Sequence, residues 1–102
     1  MRVMVLFDLP TDTKQNRKDA ANFRKFLLDD GYDMLQYSVY ARLCPNRDNA
    51  EMHFHRAEKA VPDEGSVRML MVTENQYAGM KVLVGEKTPQ EENVRFEQLS
   101  LF

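Results

Sequence analysis

Cysteine occurs once, tryptophan not at all and histidine only twice in the 102 residues. With Cys44 alone, no disulfide can form within the chain, and a reducing, cytoplasmic location is the expectation. Beside Pro45, Cys44 reads as a small buried hydrophobe rather than a nucleophile. His53 and His55 stand two apart, on different sides of a helix, which is poor geometry for a shared metal, so the histidines are expected to carry no chemistry. No apolar run approaches the roughly 20 residues that span a bilayer. The short apolar start lacks a small-residue cleavage site, so neither a signal peptide nor a membrane partner is expected. Excess positive charge is absent too: 14 Lys and Arg against 16 Asp and Glu leave −2. Any nucleic-acid binding must therefore come from a local patch. Residues 1–47 hold eight cations against six anions, and residues 48–102 six against ten. An anionic partner belongs with the first half.

What the chain does have is a hydrophobic share of 43% and a charged share of 29%, the balance of an ordinary globular domain. At this length it holds one domain with a modest core. Its most informative stretch is Met4-Val5-Leu6-Phe7-Asp8-Leu9-Pro10. Val3 to Phe7 is short, β-branched and aromatic and reads as a buried strand closed by proline. A carboxylate at the end of such a strand has a fixed direction, which suits ligand or metal binding. The plainer reading is that Asp8 caps a following helix or a loop amide.

After Pro10, Thr11-Asp12-Thr13 supplies N-cap candidates, with Gln15 three beyond Asp12 as in a capping box. A helix is predicted to about Asp30, stopped by Gly31. Ala20, Phe23, Phe26 and Leu27 fall on its core side. Lys14, Arg17, Lys18, Arg24 and Lys25 fall within an arc of roughly 120° on the other, uninterrupted by an acid. A solvated charged face explains most such stripes, and a phosphate-tracking surface looks the same. Met34 to Cys44 alternates as one long extended segment, either one strand bent at Ser38 or two collinear ones. Asn46 and Asp48 introduce a second helix with Ala50, Phe54, Ala57 and Val61 as its core stripe, ended by Pro62. Val67 to Thr73 is a strand, Glu74 to Met80 an ambiguous helical turn, Lys81 to Gly85 a short strand, and Val94 to Phe102 a last edge strand.

That order predicts an α+β fold, the ferredoxin-like split βαβ sandwich, as a single domain over 1–102 with 81–102 a C-terminal strand appendix at a dimer or partner interface. Helices on one face only would leave the other sheet face, carrying Tyr37 and Met69 or their alternating neighbours, open to water. A homodimer is the economical cover, with the C-terminal strand as an exchanged edge.

Phe7-Asp8-Leu9-Pro10, Arg17-Lys18, Phe23-Arg24-Lys25, Gly31-Tyr32 and Gln36-Tyr37-Ser38-Val39-Tyr40, in this order, resemble the CRISPR-associated protein Cas-two family. Gly65-Ser66-Val67-Arg68 and Gln76-Tyr77 are similar to the variants found with single-effector type II systems. The resemblance implies a homodimer in the spacer-acquisition complex of antiviral defence, bridging two dimers of the CRISPR integrase, Cas-one, along a captured double-stranded DNA prespacer. It also implies a divalent-metal-dependent endonuclease activity on RNA or DNA. Asp8 matches the family's strand-end aspartate near the dimer axis. Arg17 and Lys18, then Lys14 and Arg42, are carried over as nucleic-acid contacts.

One carboxylate per chain cannot build a two-metal site. Two symmetry-related Asp8 side chains would share one hydrated Mg²⁺, or another divalent cation, across the dimer axis, with a substrate phosphate as a further ligand. Three functions are weighed: a structural DNA-bridging subunit, which is preferred; a metal-dependent endonuclease centred on Asp8; and a ferredoxin-like regulatory or ligand-binding domain needing neither Asp8 nor the basic stripe.

Overall fold

The computed structural model describes residues 1–85. Its elements run β1 (Arg2–Asp8), α1 (Lys14–Asp29), β2 (Asp33–Gln36), β3 (Val39–Leu43), α2 (Arg47–Ala60), β4 (Ser66–Val72) and α3 (Glu74–Ala78). The four strands form one antiparallel sheet in the order β2-β3-β1-β4. This is the ferredoxin-like split βαβ arrangement, with β1 central and both of its edges paired.

The period of two in β1 decides the layers. Val3, Val5 and Phe7 point to the helices and are buried, whereas Leu6 and Asp8 on the alternate positions are exposed. Beneath them α1 contributes Ala20, Phe23 and Leu27, with Phe26 half-buried, and α2 contributes Ala50 and Ala57. Phe7 meets Phe23 edge-on at 5.3 Å and stacks on Tyr40 at 5.6 Å. Each such pair adds about 1 kcal/mol beyond its buried area. Cys44 is buried, as its reading as a small hydrophobe requires.

Several local expectations are corrected. Of the three N-cap candidates Thr13 caps α1, accepting from the Asn16 amide, so the Asp12–Gln15 capping box does not form and Gln15 turns instead to Asp19. Residues 34–44 are neither one bent strand nor two collinear ones. They fold into an antiparallel hairpin around Tyr37-Ser38, with Ser38 at φ 64° and a register shift between Met34 and Gln36. Ser38 does break the strand, but the left-handed serine reverses the chain rather than bending it. In α2, Val61 falls outside the helix and is exposed, and His53 occupies the core side instead.

The second sheet face is not bare either. α3, held by a capping box between Thr73 and Gln76, lays Tyr77 against Ala41, Met4 and Val72. Leu6, Leu43 and Leu70 remain exposed. The strand expected over Lys81 to Gly85 does not form: it has no neighbour to pair with among the described residues, and Leu83 and Val84 lie almost fully exposed. The edge strand expected over 94–102 lies outside the described residues.

Candidate nucleic-acid interface

β1 delivers Asp8 to one end of the sheet and then stops, because Pro10 has no amide to extend a ladder. Opposite it β4 begins at Ser66, the cross-strand partner of Asp8. The approach of the two chains depends on Gly65, at φ 106°. A Cβ there would stand 2.8 Å from Leu9 Cδ2 and 2.9 Å from the Asp8 carbonyl oxygen. The Asp8 carboxylate itself is exposed and has no hydrogen bond or ion pair among the described residues. It therefore caps neither the helix nor a loop amide, and its oxygens are free for a ligand.

Cross-strand partners share a face, so Ser66 lies beside Asp8 and Arg68, opposite Leu6, is its diagonal neighbour. Arg68 is exposed and also unpaired among the described residues. Sequence reasoning passed over Arg68 as a site residue; the pairing of β1 with β4, which places it near Asp8, has no local signal.

Lys14, Arg17 and Lys18 begin α1, a short loop after Asp8, and all three are exposed. Arg17 Nη1 donates to the Thr11 carbonyl at 3.0 Å, which ties the helix start to that loop. The first turn of α1 contains no acid, so these cations stand at the helix's positive end, although Asp12 just before the cap accepts from Asn16 Nδ2 at 2.8 Å. Further along, Lys25 pairs only loosely with Asp29, at 4.0 Å. Arg24 is half-buried and faces the ring of Tyr37 at 5.8 Å.

Arg42 does not join this group. It stands opposite Val3, near the other end of the sheet, where Nε donates to the Asp30 carbonyl and Nη1 to the Leu43 carbonyl, both at 2.7 Å. The structure gives it a chain-fastening role. That same end holds a polar cluster around the buried Asp30, which accepts from the exposed Arg56 and meets the buried His53 Nδ1, each at 2.9 Å. Burial, reinforced by Asp30 and Cys44, pushes the Tyr32 phenol above its ordinary range, and its hydroxyl has no partner among the described residues.

No group of three or more His, Cys, Asp or Glu side chains that could hold a metal occurs among the described residues. At the end of β1 one chain offers a cation the carboxylate of Asp8 without a cluster of such donors around it among the described residues. A hydrated Mg²⁺ accepts such a donor set when substrate phosphate and water supply the rest.

Residues 1–80 match the family described as CRISPR associated protein Cas2. A relative in Acidovorax ebreus named CRISPR-associated endoribonuclease Cas2 is 50% identical, over the whole length of both chains. One of the same name in Parvibaculum lavamentivorans is 53% identical over 85% of this chain and 86% of its own. A crystal structure of Streptococcus pyogenes Cas2 superposes with a TM-score of 0.62, covering 82% of this chain and all of the other, at 24% identity. That last likeness concerns the fold.

Proposed function

This chain belongs to the CRISPR associated protein Cas2 family, and from that premise we propose that it is a homodimeric, DNA-bridging subunit of the spacer-acquisition complex. The observation that carries the reading is the cationic start of α1. Lys14, Arg17 and Lys18 crowd the positive end of a helix without an acid in its first turn. Placing cations there opposes the helix dipole by several tenths of a kcal/mol each, roughly, a penalty that a bound phosphate backbone reverses. Exposed Leu6, Leu43 and Leu70 favour a second copy on the uncovered part of the sheet. The partners of the reading are the CRISPR integrase and double-stranded DNA. Nothing in the cationic stripe reads base edges, so binding is independent of sequence.

Reversing both Arg17 and Lys18 to glutamate should weaken duplex binding equally for unrelated sequences. It should also flatten the dependence of log K on log salt by about 0.9 for each phosphate no longer neutralised. An unchanged salt slope would reduce the stripe to a solvated face.

A second reading is favoured by the unpaired state of Asp8 and by the endoribonuclease names of the relatives. Here Asp8, with its counterpart in a second copy, would hold a divalent cation, which would supply charge neutralisation at the phosphate and a more acidic water. Asp8 is aimed by the β1 end and the close approach of Gly65, while Arg68 on the same face attracts the phosphate. Asp8→Asn should abolish metal-dependent cleavage of RNA or DNA and leave duplex binding intact. Cleavage at the wild-type rate in that variant rules this second reading out.

A further inference from the structure

Tyr37 is 78% exposed. Neither the core nor the turn accounts for it: two-residue hairpin turns favour Gly, Asn or Asp, and a tyrosine there leaves a large apolar ring in water. The turn that carries it is firmly held. Ser38, in the left-handed region at φ 64°, accepts a 3.0 Å hydrogen bond from the Phe7 amide through its carbonyl, which fastens the hairpin tip beside Asp8. Strain of this kind in a non-glycine residue persists where the surrounding structure imposes it, and it gathers at functional sites. Over one face of the ring, 5.8 Å from its centroid, stands the guanidinium of Arg24, half-buried and without a carboxylate partner among the described residues.

An exposed aromatic ring on a rigid turn, next to an unneutralised planar cation, is the composition of a base-stacking surface. The ring offers the face away from Arg24 to any nucleobase, and the guanidinium on the other face adds cation–π attraction and charge for the adjoining phosphate. Paired bases inside a duplex present no such face, so the surface selects unpaired nucleotides. We infer that Tyr37 and Arg24 form a stacking platform for an unpaired nucleotide, RNA or DNA, at the Asp8 end of the sheet. The inference rests on the reading of the α1 stripe as a nucleic-acid surface and adds to it a preference for strand ends or single strands. Arg24 lies on the same side of α1 as Arg17, two turns away. A strand leaving the backbone-binding stripe therefore reaches the ring without crossing the helix.

The test is fluorescence anisotropy of the full chain with four probes: a short unpaired RNA, the DNA of the same sequence, that DNA with abasic sites, and a blunt duplex. Tyr37→Ala should weaken binding of the unpaired strand by about tenfold to a hundredfold. It should leave the blunt duplex unaffected, and Tyr37→Phe should bind like the wild type. The ratio between RNA and DNA arms identifies which strand the platform takes. Unchanged affinity of Tyr37→Ala for both unpaired strands overturns the inference, as does equal wild-type affinity for abasic and base-bearing DNA. The Arg17→Glu, Lys18→Glu double variant separates the two readings. Loss of duplex binding there with no effect at Tyr37 removes the platform and keeps the backbone stripe. A Tyr37 effect with an intact duplex salt slope does the reverse. Circular dichroism of each variant checks the fold, which a surface ring on a turn should not disturb.

Discussion

Where β1 begins, charge is enclosed and matched; where β1 ends, charge is open and unmatched. At the first end, Arg2 is 2% exposed, bonded to Glu74 Oε1 at 3.1 Å and capped by the Tyr77 ring at 4.2 Å. Nearby, Asp30 binds both His53 and Arg56, and Arg42 secures the chain at the end of α1. At the other end Asp8 and Arg68 share an exposed face without partners among the described residues, and the cations of α1 face solvent. The same residue types thus serve two purposes within one small sheet. Enclosed ions hold elements together, since removing one strands the other in a poor solvent. Exposed ions contribute little to stability and stay available for a partner.

The sharpest way to break this contrast is to remove one carboxylate from each end. Asp30→Ala should destabilise the fold by about 3 kcal/mol, because it strands His53 in the core and deprives Arg56 of its partner. Asp8→Asn should change stability by less than about 0.5 kcal/mol. Urea unfolding of the two variants measures both. Equal effects would erase the distinction between the ends.

The open end still has one backbone requirement. Gly65→Ala places a Cβ against the Asp8 carbonyl and Leu9 at a positive φ, and should destabilise by about 1–3 kcal/mol. The same change should impair any Asp8-dependent cleavage more than it impairs duplex binding, and parallel assays of the two resolve that order.

The smallest effect is at the closed end. Tyr32→Phe deletes a buried hydroxyl with no partner among the described residues and should leave stability unchanged or raise it by about 1 kcal/mol at neutral pH. Burial raises the folded-state pKa of the phenol above its ordinary 10.0. The unfolded chain therefore loses this proton first as the medium turns alkaline. The stability linked to Tyr32 is complete below about pH 10 and declines as pH climbs from there toward the folded value. Unfolding curves from neutral to strongly alkaline pH should show a shallower decline in Tyr32→Phe. An identical decline would assign the alkaline loss to other groups.

Much of this could be read from the chain. Periodicity marked β1, α1, α2 and β4, because each turns a regular apolar stripe toward one core. Asp8 stood out because a carboxylate ended an apolar strand. The hairpin did not, since its turn is Tyr37-Ser38 instead of a glycine or asparagine pair, and the alternation runs through it unbroken. α3 was ambiguous because five residues hold barely more than one helical period. Val82 to Val84 looks like a strand by composition, yet a strand exists only with a neighbour, and the chain supplies none among its described residues. The Asp30–His53 pair spans 23 positions, and Arg24 meets Tyr37 across a helix and a hairpin. No local pattern encodes such meetings; the topology makes them.

The central place of β1 also governs the order in which the molecule can assemble. Its pairing with β3 becomes possible once residue 43 has been synthesised, whereas its other edge waits for β4, in which Asp8 meets Ser66 and Arg2 meets Val72. Chains emerge amino-terminus first, so the central strand of the sheet leaves the ribosome early and closes late. Until residue 72 is available, that edge is an open template for pairing with another chain. Docking of β4 is thus the closure that long loops make slow, and the helix that follows it can settle only afterwards.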